Sequence, residues 1–212
     1  LAWYPFNGNA EDASGNGNDG DINEGTDSEA TLTTDRFGND NSAYSFDGVD
    51  DFVALTSPFN TVDDLDGTLC VWFNTLQQSA GWIIGQDFSG SNRDWWFTSN
   101  RNNAGRLVFM IDDTADNNRE VESDPGNDLS DGQWHQVCGL WGDTGMSMYI
   151  DGTLQSNTNA YDIYPNTAVA SYIGCYRGGT YPSGTSCNGN FDGKIDDIHI
   201  YNRALNEAEI SK

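Results

Sequence analysis

Apolar and polar residues alternate in short runs along most of this chain, and turn-forming pairs separate the runs. Period-2 segments occupy residues 43–47, 52–55, 69–73, 82–85, 95–98, 106–111, 134–141, 146–150, 171–175 and 195–201. A β-strand sends successive side chains to opposite faces, so this period marks strands. Several runs, such as Leu69-Cys70-Val71-Trp72-Phe73, are apolar on both faces, as inner strands of a two-layer sandwich are. Asp-Gly and Gly-Asp pairs at 47–48, 131–132, 142–143, 151–152 and 192–193 fall where tight turns need positive φ. A helical signature is confined to the C-terminus, where Asn206 can cap and Glu209, three residues on, can complete a capping box. The pattern predicts an all-β fold, a two-sheet antiparallel β-sandwich closed by a short C-terminal helix. No internal repeat or linker interrupts residues 1–212, so a single domain is expected.

Composition narrows the partners. Against 9 basic residues stand 33 acidic ones, a formal net charge of -24. Such a field repels phosphate backbones and anionic headgroups, so neither nucleic acid nor membrane insertion is expected. No apolar run approaches the roughly 20 residues of a membrane helix, and no signal-peptide core is present. The chain opens directly on a strand-like segment, and the expectation is a monomeric module cut from a larger secreted protein.

The 4 cysteines fit an oxidising compartment. Cys175 and Cys187 flank a loop rich in glycine and serine and are expected to staple it. Cys70 and Cys138 each lie in a strand-like run and could bridge neighbouring strands, with free buried thiols as the alternative.

Several motifs recur in a familiar order. They are Trp3-Tyr4-Pro5-Phe6-Asn7-Gly8-Asn9, the oxygen-rich run 11–20, and residues 45–52, 68–73, 131–137 and 148–152. The C-terminal run 191–210 ends the series with Ile195-Asp196-Asp197-Ile198-His199-Ile200-Tyr201-Asn202-Arg203-Ala204-Leu205. Together they resemble the laminin-G-like branch of the concanavalin A-like lectin and glucanase superfamily. That resemblance implies a jelly roll, stabilised by a structural calcium, that binds carbohydrate rather than an enzyme. Hard cations want several oxygen ligands from loops. Asp12, Asn16 and Asn18 offer them at one end of the chain, and Asp196 or Asp197 at the other. In related glucanases a carboxylate at the first of the two paired positions helps hold calcium, which favours Asp196. On strand alternation Asp196 and Asp197 should point to opposite sides. The plainer alternative is a solvated turn and surface charge.

For the ligand, Trp95 and Trp96 are adjacent on a strand-like run, so one of them is expected to leave the core. A tryptophan there could stack on a pyranose ring, with Arg93 and Arg101 among the polar groups around it. The stapled loop adds Tyr176, Arg177 and Tyr181 as a second subsite. Core packing and a simple loop clamp are the competing accounts of these features. Trp72 and Trp134 read as structural, and Trp82 and Trp141 remain open.

Retaining glucanases of the superfamily carry Glu-x-Asp-x-x-Glu on one strand face, a spacing that does not occur here. The expected function is therefore a non-catalytic carbohydrate-binding module or lectin domain of a glycan-active enzyme or adhesin. Its partner would be a polysaccharide or glycan, neutral or sparsely charged. A structural or protein-binding adhesin domain is the alternative, and a polysaccharide hydrolase or lyase the third reading.

Overall fold

The computed structural model describes residues 1–22, 29–55, 66–86, 95–101, 106–112, 118–160, 171–176, 187 and 189–211. In chain order the strands are β1 (Ala2–Tyr4), β2 (Gly20–Asp21), β3 (Thr31–Thr33), β4 (Ala43–Asp47), β5 (Val53–Leu55), β6 (Gly67–Asn74), β7 (Gly81–Gln86) and β8 (Trp95–Arg101). They continue as β9 (Arg106–Asp112), β10 (Asn118–Glu122), β11 (Trp134–Trp141), β12 (Ser147–Ile150), β13 (Thr153–Leu154), β14 (Ser171–Ile173) and β15 (Asp192–Tyr201). A single turn of helix, α1 (Glu207–Ile210), follows. The capping box is present: Asn206 Oδ1 accepts from the Glu209 N–H at 3.2 Å, and the Glu209 carboxylate accepts from the Asn206 N–H at 3.0 Å. Among the described residues no helix is long and apolar enough to cross a membrane.

The strands form two antiparallel sheets. The larger runs β13-β12-β11-β6-β15-β4-β3, with β1 also paired to β15; the smaller runs β10-β9-β8-β7-β14-β5-β2. The chain thus closes on itself, because its first and last strands pair at Trp3↔His199. Alternation decides what lies between the sheets. Leu69, Val71 and Phe73 of β6, Val137 of β11 and Ile198 and Ile200 of β15 meet Phe97 of β8 and Phe109 of β9 in one core. Phe97 and Phe109 lie 4.8 Å apart between ring centroids, and Trp141 packs on Phe109 at 6.2 Å, so Trp141 belongs to the core. Gly139 of β11 faces those same rings, and a Cβ there would come within 2.7 Å of both. The sandwich is a jelly roll, as expected.

Both expected disulfides are formed. Cys70–Cys138 joins directly paired residues of β6 and β11 on the outer face of the larger sheet. Cys175–Cys187 closes a 12-residue separation beside the smaller sheet. There Phe52, Ala54, Tyr172 and Cys175 form a separate buried cluster.

Candidate functional site

A groove of about 600 Å³ opens on the outer face of the larger sheet. Strand alternation builds it. With Leu69, Val71 and Phe73 turned inward, Cys70 and Trp72 face outward; His199 and Tyr201 do so in alternation with the inward Ile198 and Ile200. Register aligns Trp3, His199, Cys70, Cys138 and Tyr149 in one row across five strands. Cys70 supplies the floor, and its disulfide partner Cys138 packs with Leu205 and Ile210 of the C-terminal segment at one end. The loop before β4 supplies Arg36 and Phe37 at the other end.

Aromatic rings dominate the walls. Trp3 stacks on His199 at 5.5 Å and 14°, and His199 on Tyr201 at 5.8 Å and 6°. The Arg36 guanidinium lies 4.8 Å from the Trp72 ring centroid and 4.4 Å from that of Phe37, which is 73% exposed. Trp72, Trp134 and Gln136 are half-buried. This corrects the structural reading of Trp72 and Trp134: both line the groove. Alternation along β6 carried that signal, since Trp72 shares a face with Cys70 and not with Leu69, Val71 and Phe73.

The charged groups of the groove are already paired. Arg36 donates from Nη1 to Asp196 Oδ2 at 2.6 Å and from Nη2 to Asp197 Oδ2 at 2.8 Å. Asp197 Oδ1 accepts from Trp3 Nε1 at 2.8 Å and lies 3.0 Å from His199 Nε2. Glu209 takes a two-pronged pair from Arg203, each contact 2.8 Å.

The expectation that Asp196 and Asp197 face opposite sides is corrected here. The register of β15 on β6 shifts between Asp196 and His199, and Asp197 adopts φ 48. The irregularity breaks the alternation and brings both carboxylates to one guanidinium. Burial dominates at Asp196 and lifts its carboxyl to about 6, against the pull of Arg36. At Asp197 burial is outweighed by His199, Trp3 and Arg36, which hold it at about 2.

The other predicted calcium ligands are likewise engaged. Asp12 accepts from the backbone N–H groups of Trp3 at 3.0 Å, Ser14 at 2.9 Å and Asn18 at 3.1 Å, and from Asn18 Nδ2 at 3.0 Å. Burial would raise its carboxyl, but these bonds bring it down to about 2. The side-chain amides of Asn16 and Asn18 donate to Leu1 O at 3.0 and 3.1 Å. Gly15 and Gly17, at φ 85 and 75, give the loop the turn it needs. Calcium needs lone pairs converging on one point; here the carboxylates of Asp12, Asp196 and Asp197 accept N–H donors, those of a guanidinium among them, and the amides of Asn16 and Asn18 turn their N–H groups to Leu1 O. This donor set does not fit the ion that the resemblance implies. Elsewhere, carboxylate oxygens of Asp47, Asp50 and Asp51 lie within 4.8 Å of one another.

Three of the other predicted ligand residues belong to the smaller sheet. Trp95, Trp96 and Arg101 lie on β8, where Trp96 pairs with Met110 and Arg101 with Arg106. Tyr176 is half-buried and packs on Trp82, ring centroids 4.8 Å apart. Arg93, Arg177 and Tyr181 lie outside the described residues.

A family profile, described as the concanavalin A-like lectin/glucanases superfamily and of the laminin G type, matches residues 46–211. The chain belongs to this superfamily. No curated protein matches the sequence. Among solved structures, the receptor-binding domain of botulinum neurotoxin mosaic serotype C/D is similar with a TM-score of 0.71 at 17% identity, covering 100% of this chain and 49% of that one. A structure of botulinum neurotoxin type C, a toxin whose cell entry depends on interaction with two ganglioside molecules, gives 0.66 at 17% identity over 95% of this chain and 47% of that one. The heptameric SAP-like pentraxin of Limulus polyphemus gives 0.59 at 17% identity over 79% and 78%. The superfamily member described here thus spans about half the length of the neurotoxin domains, and the likeness is one of fold.

Proposed function

We propose that this chain is a non-catalytic glycan-binding module of a secreted protein, and that the groove on the larger sheet takes the sugar. The observation that carries the reading is the juxtaposition of Trp72, Trp134 and Tyr201 with Gln136 and His199 over one open trough. Aromatic faces stack on the apolar faces of pyranose rings, while amide and imidazole groups at their edges exchange hydrogen bonds with hydroxyls. The groove's carboxylates, Asp197 and Glu209, are held in ion pairs with Arg36 and Arg203, which supports binding rather than acid–base chemistry. The same pairing occupies both guanidinium groups. A neutral or sparsely charged glycan suits such a site better than a sulfated or uronate-rich one. The two disulfides support an oxidising, extracellular setting.

Titration calorimetry against neutral and acidic polysaccharides, at low and high salt, tests the proposal. A shallow aromatic trough predicts micromolar to millimolar affinity, roughly -8 to -4 kcal/mol, with little dependence on salt. Trp72→Ala, Trp134→Ala and Tyr201→Ala should each weaken binding about tenfold or more, a loss of about 1.4 kcal/mol. Binding that survives these changes but is lost in Trp95→Ala or Trp96→Ala would move the site to the smaller sheet. Saturable binding of a protein partner, with no response to any glycan, would favour an adhesin role instead.

A further inference from the structure

The N-terminal segment is tied to the last strand by backbone pairing and side-chain hydrogen bonds. Leu1 N donates to Ile200 O at 2.6 Å, Trp3 pairs with His199, and Trp3 Nε1 reaches Asp197. The loop at 12–18 then hangs on the N-terminal segment, with Tyr4 Oη donating to Asn18 O at 2.6 Å. At the centre of this closure sits one guanidinium, held by two carboxylates that the irregularity in β15 brings together. Arg36 and Asp196 are largely withdrawn from water, with side-chain exposures of 17% and 3%.

From this we infer that Arg36 is the resident cation of the module: it fills the place where Asp196 and Asp197 would otherwise take a divalent ion, and it frees the closure from calcium. The argument is one of charge and room. Two adjacent carboxylates, one of them buried, need a counter-charge in place, because an uncompensated buried charge is costly. A guanidinium supplies a planar fork of N–H donors that can serve two carboxylate oxygens at once. It also lies over Trp72 and Phe37, so the same side chain neutralises the acids and props the groove wall. Beside it a pocket of about 260 Å³ is lined by further oxygen-bearing side chains, including Ser42 and Asn7, while the Asp35 carboxylate accepts from Phe37 and Asn39. Removing the guanidinium would leave two carboxylates, these neighbours and water around one vacancy. Calcium accepts 6–8 oxygen ligands in flexible geometry, whereas magnesium demands a tight octahedron. The vacancy would therefore favour calcium.

The inference is independent of the glycan reading and is tested without a sugar. Calorimetric melting of the full chain, wild type and Arg36→Ala, is measured in chelator, in millimolar calcium and in millimolar magnesium. Wild-type Tm should agree within about one degree in all three, since a ligand that does not bind the folded state shifts nothing. Arg36→Ala should melt several degrees lower in chelator, and calcium should restore about half the loss or more, magnesium less. Terbium luminescence sensitised by nearby tryptophan should appear in Arg36→Ala and stay at background in wild type. Arg36→Lys, which keeps a positive charge in place, should resemble wild type in its indifference to calcium. If Arg36→Ala is unfolded in chelator, its refolding on addition of calcium is the expected result. A wild-type Tm that falls in chelator overturns the inference. So does an Arg36→Ala protein that neither regains stability nor refolds with calcium.

Discussion

Asp12 shows how one side chain can organise a loop. Three backbone N–H groups, on Trp3, Ser14 and Asn18, converge on its carboxylate. The residue itself is 8% exposed, and the three bonds are partly withdrawn from water. Asp12→Ala would strand them, and an unsatisfied buried donor costs about 1–3 kcal/mol. We expect a loss of about 2–3 kcal/mol in all, read as a drop in Tm of roughly 5–10 °C for a domain of this size. Asp12→Asn, which keeps one carbonyl acceptor, should lose less. A calorimetric Tm for Asp12→Ala within a degree of wild type would refute this account of the loop. The sequence placed the oxygen-rich run correctly as a special loop. It could not say that the oxygens face inward to N–H groups, because the same residue types serve a metal or a turn equally well.

At the scale of elements, alternation was a sufficient guide wherever a strand is long and one face meets the core. The runs at 43–47 and 134–141 coincide with β4 and β11, and the capping box of α1 was legible from two residues. Short edge strands such as β2, β3 and β13, of two or three residues, leave too little pattern to find. Alternation failed at Asp196 and Asp197 for a different reason: an irregularity in pairing is a property of two strands, and one strand's sequence does not contain it. The groove was hidden likewise, since Arg36 and Phe37 come from a loop distant in sequence. Phe46, by contrast, reaches the core as its run predicts. Gly139 marks the tightest passage of β11. A methyl group there would lie 2.7 Å from the rings of Phe97 and Phe109, which are fully buried and have no open side to move into. Gly139→Ala should therefore destabilise the fold by about 1–3 kcal/mol, despite the better strand propensity of alanine. Chemical denaturation measures it through the midpoint, and a variant as stable as wild type would mean that the sheets can part locally.

For the whole molecule the governing quantity is charge, and it sets how stability should change with pH. The chain carries a formal net charge of -24 at neutral pH, so self-repulsion grows as the last carboxyls ionise. Two specific groups reinforce that trend. Burial raises the Asp196 carboxyl from 3.8 to about 6, so its ionisation in the folded state is resisted; the favourable contribution below pH 3.8 is lost as pH rises towards 6. His135 is raised above 6.5 chiefly by its hydrogen bond to Asp151, at 2.8 Å, with burial opposing and Asp131 assisting. Its contribution is complete below 6.5 and disappears as pH climbs through the folded value. Asp12 and Asp197 act in the other direction. Both are held at about 2, so their contribution is present above 3.8 and is lost as pH falls towards 2. The opposing limbs leave a maximum of stability in the acidic range, close to the ordinary carboxylate value of 3.8. Melting curves from pH 2.5 to 8.5 should show Tm declining on both sides of it, and added salt should soften the alkaline decline by screening the repulsion. His135→Gln should flatten the decline above pH 6.5, and should also weaken the acid limb, because His135 helps to hold Asp131 and Asp151 below the ordinary carboxylate value. A Tm that keeps rising to pH 8 would show that the hydrogen bonds and ion pairs named here do not set the balance.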